Sequence, residues 1–343
     1  MRELVDRYGR KINYARLSVT DRCDFRCVYC MAEDMTFLPR QQVLSLEELY
    51  TVAQGLVNAG VSKIRLTGGE PLIRNNILWL IEKIGALDGL EELTLTTNGS
   101  QLKKYAQDLK RAGVARINIS IDSLEPAKFA SITRTGKLDQ VLEGIDAAIE
   151  AGFERIKLNS VILKHRNDKE VIPLLEFAIK KGIDIAFIEE MPLGEIIEHD
   201  RALAFCSSDE IWENLSRQYQ LTELPDKTNG PSRYFSVESK QATERLKNNI
   251  QTRVGFISPH SHNFCSECNR IRVTVEGRLL FCLGNEHSID LREPLRMHQG
   301  TEPEKHQLVS KLIQDNLHLK PEKHRFDLNG EVDIVRFMNM TGG

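Results

Sequence analysis

Up to Met191 the apolar positions of this chain alternate between two rhythms. Short runs rich in Val, Ile, Leu and Thr predict six β-strands, at residues 15–19, 63–66, 92–97, 116–121, 155–162 and 184–188. Helical spacing fills the gaps between them. Leu46, Leu49, Tyr50, Ala53, Leu56 and Val57 recur on one face, Ser45 with Glu48 forms a capping box ahead of them, and Gly60 stops the run. Similar helices are predicted at 77–84, 103–112, 138–151 and 169–181. Strands alternating with helices predict a parallel sheet, and six βα units fall short of the eight that close a barrel. The expected fold is α/β, a partial TIM-like (βα)6 barrel.

Beyond Met191 the rhythm breaks. Residues 194–230 read as polar and irregular, with Asp226-Lys227-Thr228-Asn229-Gly230-Pro231 as a loop signal. Strands are predicted again at 253–258, 271–275 and 278–282, the last two joined by a hairpin turn at Glu276-Gly277. The chain is therefore expected to divide into a barrel domain, 1–192, and a smaller β-containing C-terminal domain, 193–343. Its 343 residues suit that division, and 41% hydrophobic content suffices for a sizeable core.

Charge narrows the function. A formal net charge of −3 argues against a general nucleic-acid or membrane-surface binder, so an anionic ligand has to be met by a local cluster of Arg and Lys. The first ten residues lack the apolar core of a signal peptide, and no run approaches the roughly 18 apolar residues that span a bilayer. A cytoplasmic protein with no nucleic-acid and no membrane partner is expected. In that reducing compartment seven cysteines, six of them in two tight groups, read as metal ligands and not as disulfides.

Cys23, Cys27 and Cys30 form the first group. Three thiolates on one short loop can hold three irons of a cubane cluster and leave the fourth open, whereas ordinary clusters take four thiolates. An open coordination position is what a reactive metal site keeps. A zinc loop is the rival, weakened by the missing fourth ligand. Cys265, Cys268 and Cys282 form the second group, with the predicted hairpin returning Cys282 beside the pair. Here zinc and iron–sulfur stay equally open, since His260 or His262 completes a Cys3His set; Cys206 is left as a spare thiol. No G-x4-G-K-[ST] loop occurs, so a P-loop is excluded. Arg16, Arg65 and Lys157 lie on three predicted strands, and Arg270 and Arg272 share one face of another. Guanidinium offers phosphate a bidentate partner.

The C-x3-C-x2-C run with Tyr29 resembles the cluster loop of the radical S-adenosylmethionine superfamily. Gly68-Gly69-Glu70-Pro71, ending the second strand, resembles that superfamily's segment for the methionine amino group. Arg16, Thr67 with the Gly-Gly-Glu-Pro run, Thr96-Thr97-Asn98-Gly99, Ile119-Ser120-Ile121-Asp122-Ser123, Phe187-Ile188-Glu189-Glu190-Met191, Cys265-x2-Cys268-Asn269-Arg270-Ile271-Arg272 and Gly342-Gly343 together resemble the GTP 3′,8-cyclase family of molybdenum-cofactor biosynthesis. The resemblance covers nearly the whole chain.

It implies two [4Fe-4S] clusters, on Cys23, Cys27 and Cys30 and on Cys265, Cys268 and Cys282. It also implies S-adenosyl-L-methionine contacted by Tyr29, Gly69, Ser120 and Met191, and GTP bound by Arg16, Arg65, Thr96, Lys157, Arg270 and Arg272, with the guanine on the second cluster. The implied activity is a lyase that cyclises GTP to (8S)-3′,8-cyclo-7,8-dihydroguanosine 5′-triphosphate; the cofactor's radical does the chemistry, so no catalytic side chain is assigned. An electron donor, a homodimer, product transfer to cyclic pyranopterin monophosphate synthase, and a Gly342-Gly343 tail entering the site are implied as well. One position departs from the pattern: Ala186 stands where many members have Arg. Two rivals are a peptide-modifying radical S-adenosylmethionine enzyme, expected to carry extra C-terminal cysteines, and a zinc-binding interaction module without chemistry.

Overall fold

Alternate residues of a strand point to opposite faces, and in this chain the two faces have opposite chemistry. The computed structural model describes residues 3–196, 199–225, 230–240, 251–327 and 334–342. Six parallel neighbours form its centre: β1 (Tyr14–Ser18), β2 (Lys63–Thr67), β3 (Glu92–Thr97), β4 (Val114–Ser120), β5 (Arg155–Val161) and β6 (Asp184–Ile188). Between them run α1 (Leu46–Asn58), α2 (Ile77–Gly85), α3 (Leu102–Arg111), α4 (Pro126–Thr133), α5 (Leu138–Glu150) and α6 (Val171–Lys181). Outward strand residues such as Leu17, Leu66, Leu95, Ile119, Leu158 and Phe187 pack with Leu49, Leu56, Leu80, Leu109, Val141 and Leu174 of the helices in one apolar core. Inward positions are mostly polar, which leaves a chamber where a closed barrel has packed Val, Ile and Leu.

Two later strands extend this wall. β9 (Arg253–Ile257) pairs parallel with β6, and β10 (Arg270–Val273) pairs parallel with β1. β7 (Tyr219–Glu223) and β8 (Arg233–Ser239) continue one edge antiparallel; β11 (Arg278–Leu280) and β12 (Ser288–Asp290) continue the other. The result is one 12-stranded sheet whose end strands are not paired to each other, so the barrel is open. The expected partial α/β barrel is what forms, and the C-terminal strands lengthen its parallel run.

One expectation is corrected. The segment read as irregular, 194–230, carries α7 (Arg201–Ala204), α8 (Ser208–Ser216) and β7. Ser207 and Glu210 make a capping box and Ile211 and Leu215 are buried, so α8 had a start signal that its exposed polar face diluted. Residues 226–229 of the proposed loop lie outside the described residues. The Glu276-Gly277 turn forms as expected: Gly277 has φ +87°, and Thr274 N–H donates to Arg278 O at 2.9 Å. β11 ends at Leu280, which leaves Cys282 just past the strand. α9 (Arg292–Met297), α10 (Glu302–Asn316) and α11 (Met338–Thr341) follow. Among the described residues no helix is long and apolar enough to cross a membrane.

Candidate active site

Cys23, Cys27 and Cys30 lie on the loop leaving β1 at the C-terminal end of the sheet, where barrel-like folds place their chemistry. Arg26 and Val28 donate their N–H groups to Thr133 O and Ile132 O at 2.9 and 3.0 Å, and Cys30 N–H reaches Cys27 O at 2.9 Å. Gly69 N–H donates to Thr20 O at 2.7 Å and Glu70 N–H to Arg22 O at 2.8 Å. A Cβ on Gly69 would stand 2.1 Å from Arg22 O, so this backbone-to-backbone approach requires glycine.

Buried carboxyls frame the loop. Glu70 accepts from Leu72 N–H and Thr97 Oγ1–H at 2.9 Å and from Asn98 N–H at 2.6 Å. Burial outweighs these donors and pushes Glu70 up to about 7. Tyr29 donates to Asp122 at 2.8 Å, joining the cysteine loop to the turn after Ser120. All three thiols are free and half-buried. Burial is the largest influence on each, pushing Cys23 and Cys27 well up and Cys30 up to about 12. A soft metal that takes thiolates would offset that cost, so the donor set fits an iron–sulfur group. Among the described residues no three His, Cys, Asp or Glu side chains converge on a single-ion position.

The chamber below is lined by Tyr14, Arg16, Lys63, Arg65, Arg116, Lys157, Asp184, Met191, Arg253, Arg270 and Arg272, among others. Two carboxylates account for some of these cations: Glu92 pairs with Lys63 at 2.8 Å and with Arg116, and Asp184 holds Arg253 at 3.1 Å. Arg16, Arg65, Lys157, Arg270 and Arg272 have no carboxylate partner among the described residues. Arg65 Nη1 donates to Thr96 Oγ1 at 3.2 Å. Register places Arg16 between Arg65 and Arg272, and Tyr14 between Lys63 and Arg270.

Arg16 and Arg272 are only 9% and 6% exposed, and Nε of both Arg16 and Arg65 is buried without an acceptor. Burial, reinforced by Arg270 and Arg65, lowers Arg16 to about 10 despite Tyr14, and burial with Arg16 and Arg270 holds Arg272 well below the arginine range. Burial alone would raise the Tyr14 phenol, yet Arg65, Arg16, Lys63 and Arg270 bring it down to about 6. Crowded, buried cations without carboxylate partners are costly, and a polyanion offsets the cost.

Cys265, Cys268 and Cys282 share one wall of this chamber, as the hairpin predicted. Burial pushes the Cys268 thiol up, but Arg270 and Lys320 overcome it and bring the group down to about 6. The two histidines considered as zinc ligands are engaged elsewhere: His262 Nε2 meets Asp209 at 2.7 Å and His260 Nε2 meets Glu190 O at 3.1 Å. Helix α11 packs against β1 beside the first cysteine group. Asn339 donates to Asp21 O at 2.8 Å and its backbone N–H faces Cys30, while Gly342 O accepts from Arg272 Nη1 at 2.7 Å. Gly342 therefore lies inside the site; Gly343 is outside the described residues.

Residues 17–178 match the radical SAM superfamily and residues 183–326 match the molybdenum cofactor synthesis C family. A GTP 3′,8-cyclase of Pseudomonas putida (strain GB-1) is 60% identical over 342 residues, covering 100% of this chain and 98% of that protein. The chain belongs to the GTP 3′,8-cyclase family. Cyclases of Marinobacter nauticus and Ectopseudomonas mendocina are 58% and 54% identical over 99% of this chain, covering 98% and 99% of those proteins. Among solved structures, Streptococcus suis SuiB bound to S-adenosylmethionine has a TM-score of 0.56 at 15% identity, covering 83% of this chain and 65% of that one, a likeness of fold alone. As a radical S-adenosylmethionine cyclase-family member, the chain uses S-adenosylmethionine and a [4Fe-4S] cluster.

Seen in the cyclase family, the sequence-derived residues fall into two places. Tyr29 and Gly69 gather at the first cysteine loop, with Ser120 on the strand end beside it; Arg16, Arg65, Lys157, Arg270, Arg272 and Met191 line the chamber, with Thr96 reached through Arg65. Ala186 is fully buried on the inward face of β6 between Asp184 and Ile188, so no cation projects there, but Arg253 of the adjoining strand lines the same chamber. Sequence reasoning missed Tyr14, Asp122 as the partner of Tyr29, and Lys320. Tyr14 was two residues before Arg16 on the same strand face, a parity signal that was available.

Proposed function

We propose that this chain cyclises GTP to (8S)-3′,8-cyclo-7,8-dihydroguanosine 5′-triphosphate, an early step of molybdenum-cofactor biosynthesis. Family membership supports the reaction. The observation that carries it into this molecule is the set of five chamber cations with no carboxylate partner, in a chamber whose wall includes Cys265, Cys268 and Cys282. Arg16, Arg65, Lys157 and Arg272 bind the triphosphate, Thr96 orients it through Arg65, and Arg270 acts beside Cys268. Tyr29, Gly69, Ser120 and Met191 hold the cofactor. Together with S-adenosylmethionine, the cluster on Cys23, Cys27 and Cys30 supplies the radical.

Cys265, Cys268 and Cys282 hold a second [4Fe-4S] cluster that receives the guanine; the diversion of both nearby histidines favours this over zinc. The division at residue 192 is functional in this reading, with radical generation before it and the second cluster after it. Arg253, held by Asp184, is the cation on the strand adjoining Ala186. An external electron donor, a homodimer, a cytoplasmic location and delivery of product to cyclic pyranopterin monophosphate synthase complete the proposal, supported by the family alone.

The test is anaerobic. Reconstituted protein should carry about eight irons per chain, as two four-iron clusters require, and with reductant and S-adenosylmethionine should form 5′-deoxyadenosine and a cyclised nucleotide only when GTP is present. A colourless zinc protein, or deoxyadenosine formation indifferent to GTP, would sink the reading.

A further inference from the structure

Lys320 is 1% exposed and among the largest side chains fully enclosed by the fold. An ammonium has three donors, and each has an acceptor here: Arg270 O at 2.7 Å, Phe281 O at 2.8 Å and Cys268 Sγ at 3.5 Å. No carboxylate is among them. Burying a lysine without an anionic partner is unfavourable, and the anionisable group that it touches is the thiol of Cys268. The turn of residues 317–319 after α10 delivers Lys320 to this place, through its N–H bond to Leu317 O at 3.0 Å.

The segment that carries Lys320 is itself held from the far end of the chain. Arg10 Nη2 donates to Pro321 O at 2.7 Å, and Arg10 Nη1 donates at 2.8 Å both to Glu322 O and to Cys265 O. Asp6 fixes Arg10 in turn, accepting from Nε at 2.7 Å and from its backbone N–H at 2.9 Å. Arg10 thus binds the backbone of Cys265, and Lys320 binds the sulfur of Cys268 and the carbonyl just before Cys282. All three cysteine segments of the second group meet two buried cations that no sequence motif contains.

We propose that Lys320, seated by Arg10, is a positioning residue for the second cluster: it sets the spacing of Cys268 and Cys282 and supplies the buried positive charge that their thiolates need. The inference rests on the reading that this group holds a [4Fe-4S] cluster. Charge beside a cluster sets its reduction potential along with hydrogen bonds to sulfur, so Lys320 also raises the potential of the second cluster. Arg270, which lies between the cluster and the substrate chamber, is tied to the same ammonium through its carbonyl, so the brace also fixes where that arginine starts.

The test uses anaerobically reconstituted full-length protein, wild type beside Lys320→Met, Lys320→Gln and Arg10→Met. Iron per chain is measured, with redox titration followed by electron paramagnetic resonance. Lys320→Met should fall from about eight irons to about four, retaining the first cluster. Lys320→Gln keeps donors without charge; chains that retain the second cluster should show it at a lower midpoint potential, a shift that a purely structural staple would not cause. Arg10→Met, one step removed from the sulfurs, should lose iron from the second cluster only, which covers the case in which Lys320 variants fail to fold. Eight irons with an unchanged potential in Lys320→Gln, or full iron in Arg10→Met, overturns the proposal. Wild-type protein holding zinc or nothing on Cys265, Cys268 and Cys282 overturns the underlying reading instead, and the proposal with it.

Discussion

Arg272 combines three properties that ordinarily exclude one another: burial, positive charge, and like-charged neighbours at Arg16 and Arg270. Its only hydrogen-bond partner among the described residues is a backbone carbonyl, Gly342 O. Arg272→Ala should therefore raise the GTP requirement about tenfold or more, the scale of a lost charge-assisted bond, with both clusters still assembled. Unchanged GTP binding would remove Arg272 from the triphosphate set.

Tyr14 gives a prediction about pH. Its phenol is held at about 6 in the folded chamber, against about 10 for a free tyrosine. A depressed folded value means that the stabilisation is complete above the unfolded value and is lost as pH falls through the folded one. The gap in melting temperature between wild type and Tyr14→Phe should be smallest near pH 5 and should widen from about 6 towards 9, read by anaerobic thermal melts without GTP; a constant gap refutes it. At this scale the cysteines and arginines were legible because their spacing is local. Tyr14 and Lys320 were not, since their character comes mainly from neighbours on other elements, Arg65, Lys63 and Arg270 for the one and Cys268, Arg270 and Phe281 for the other.

Among the elements, the two Gly-rich and Cys-rich segments behave as one. Gly69 lies so close to Arg22 O that a methyl group cannot enter without moving the cysteine loop. Gly69→Ala should reduce iron at the first cluster and leave the second intact, measured as a drop from about eight to about four irons per chain. Ser207→Ala tests the helix that sequence reading overlooked: loss of the cap on α8 should cost about 1 kcal/mol in denaturant unfolding. Strands β1 to β6 were legible because period-2 alternation is written locally. The partners of β9 and β10 were not, because parallel pairing between strands separated by other elements leaves no local periodicity. Register matters as much as pairing: a one-residue slip of β10 would turn Arg270 and Arg272 away from the chamber.

For the whole molecule, the two halves of the sequence meet in a single sheet and a single site. The C-terminal segment crosses back over the barrel, with Asn339 and Thr341 fully enclosed and Gly342 against Thr67. Removing Gly342 and Gly343 should abolish GTP-dependent turnover without changing iron content; full turnover by the truncated chain would show that the tail is dispensable.

The pairing of β1 with β10 also has a consequence for how the chain is made. β1 is made long before its second neighbour, which is not complete until residue 273, and the Lys320 that touches Cys268 comes later still. During translation the free edge of β1 is a template open to wrong partners, and contacts of such long sequence separation form slowly. The contact that joins Arg10 to Pro321 can therefore close only after residue 321 has been made. Until the segments from residue 268 to residue 320 have joined it, the free edge of β1 has to be kept from other copies of the chain.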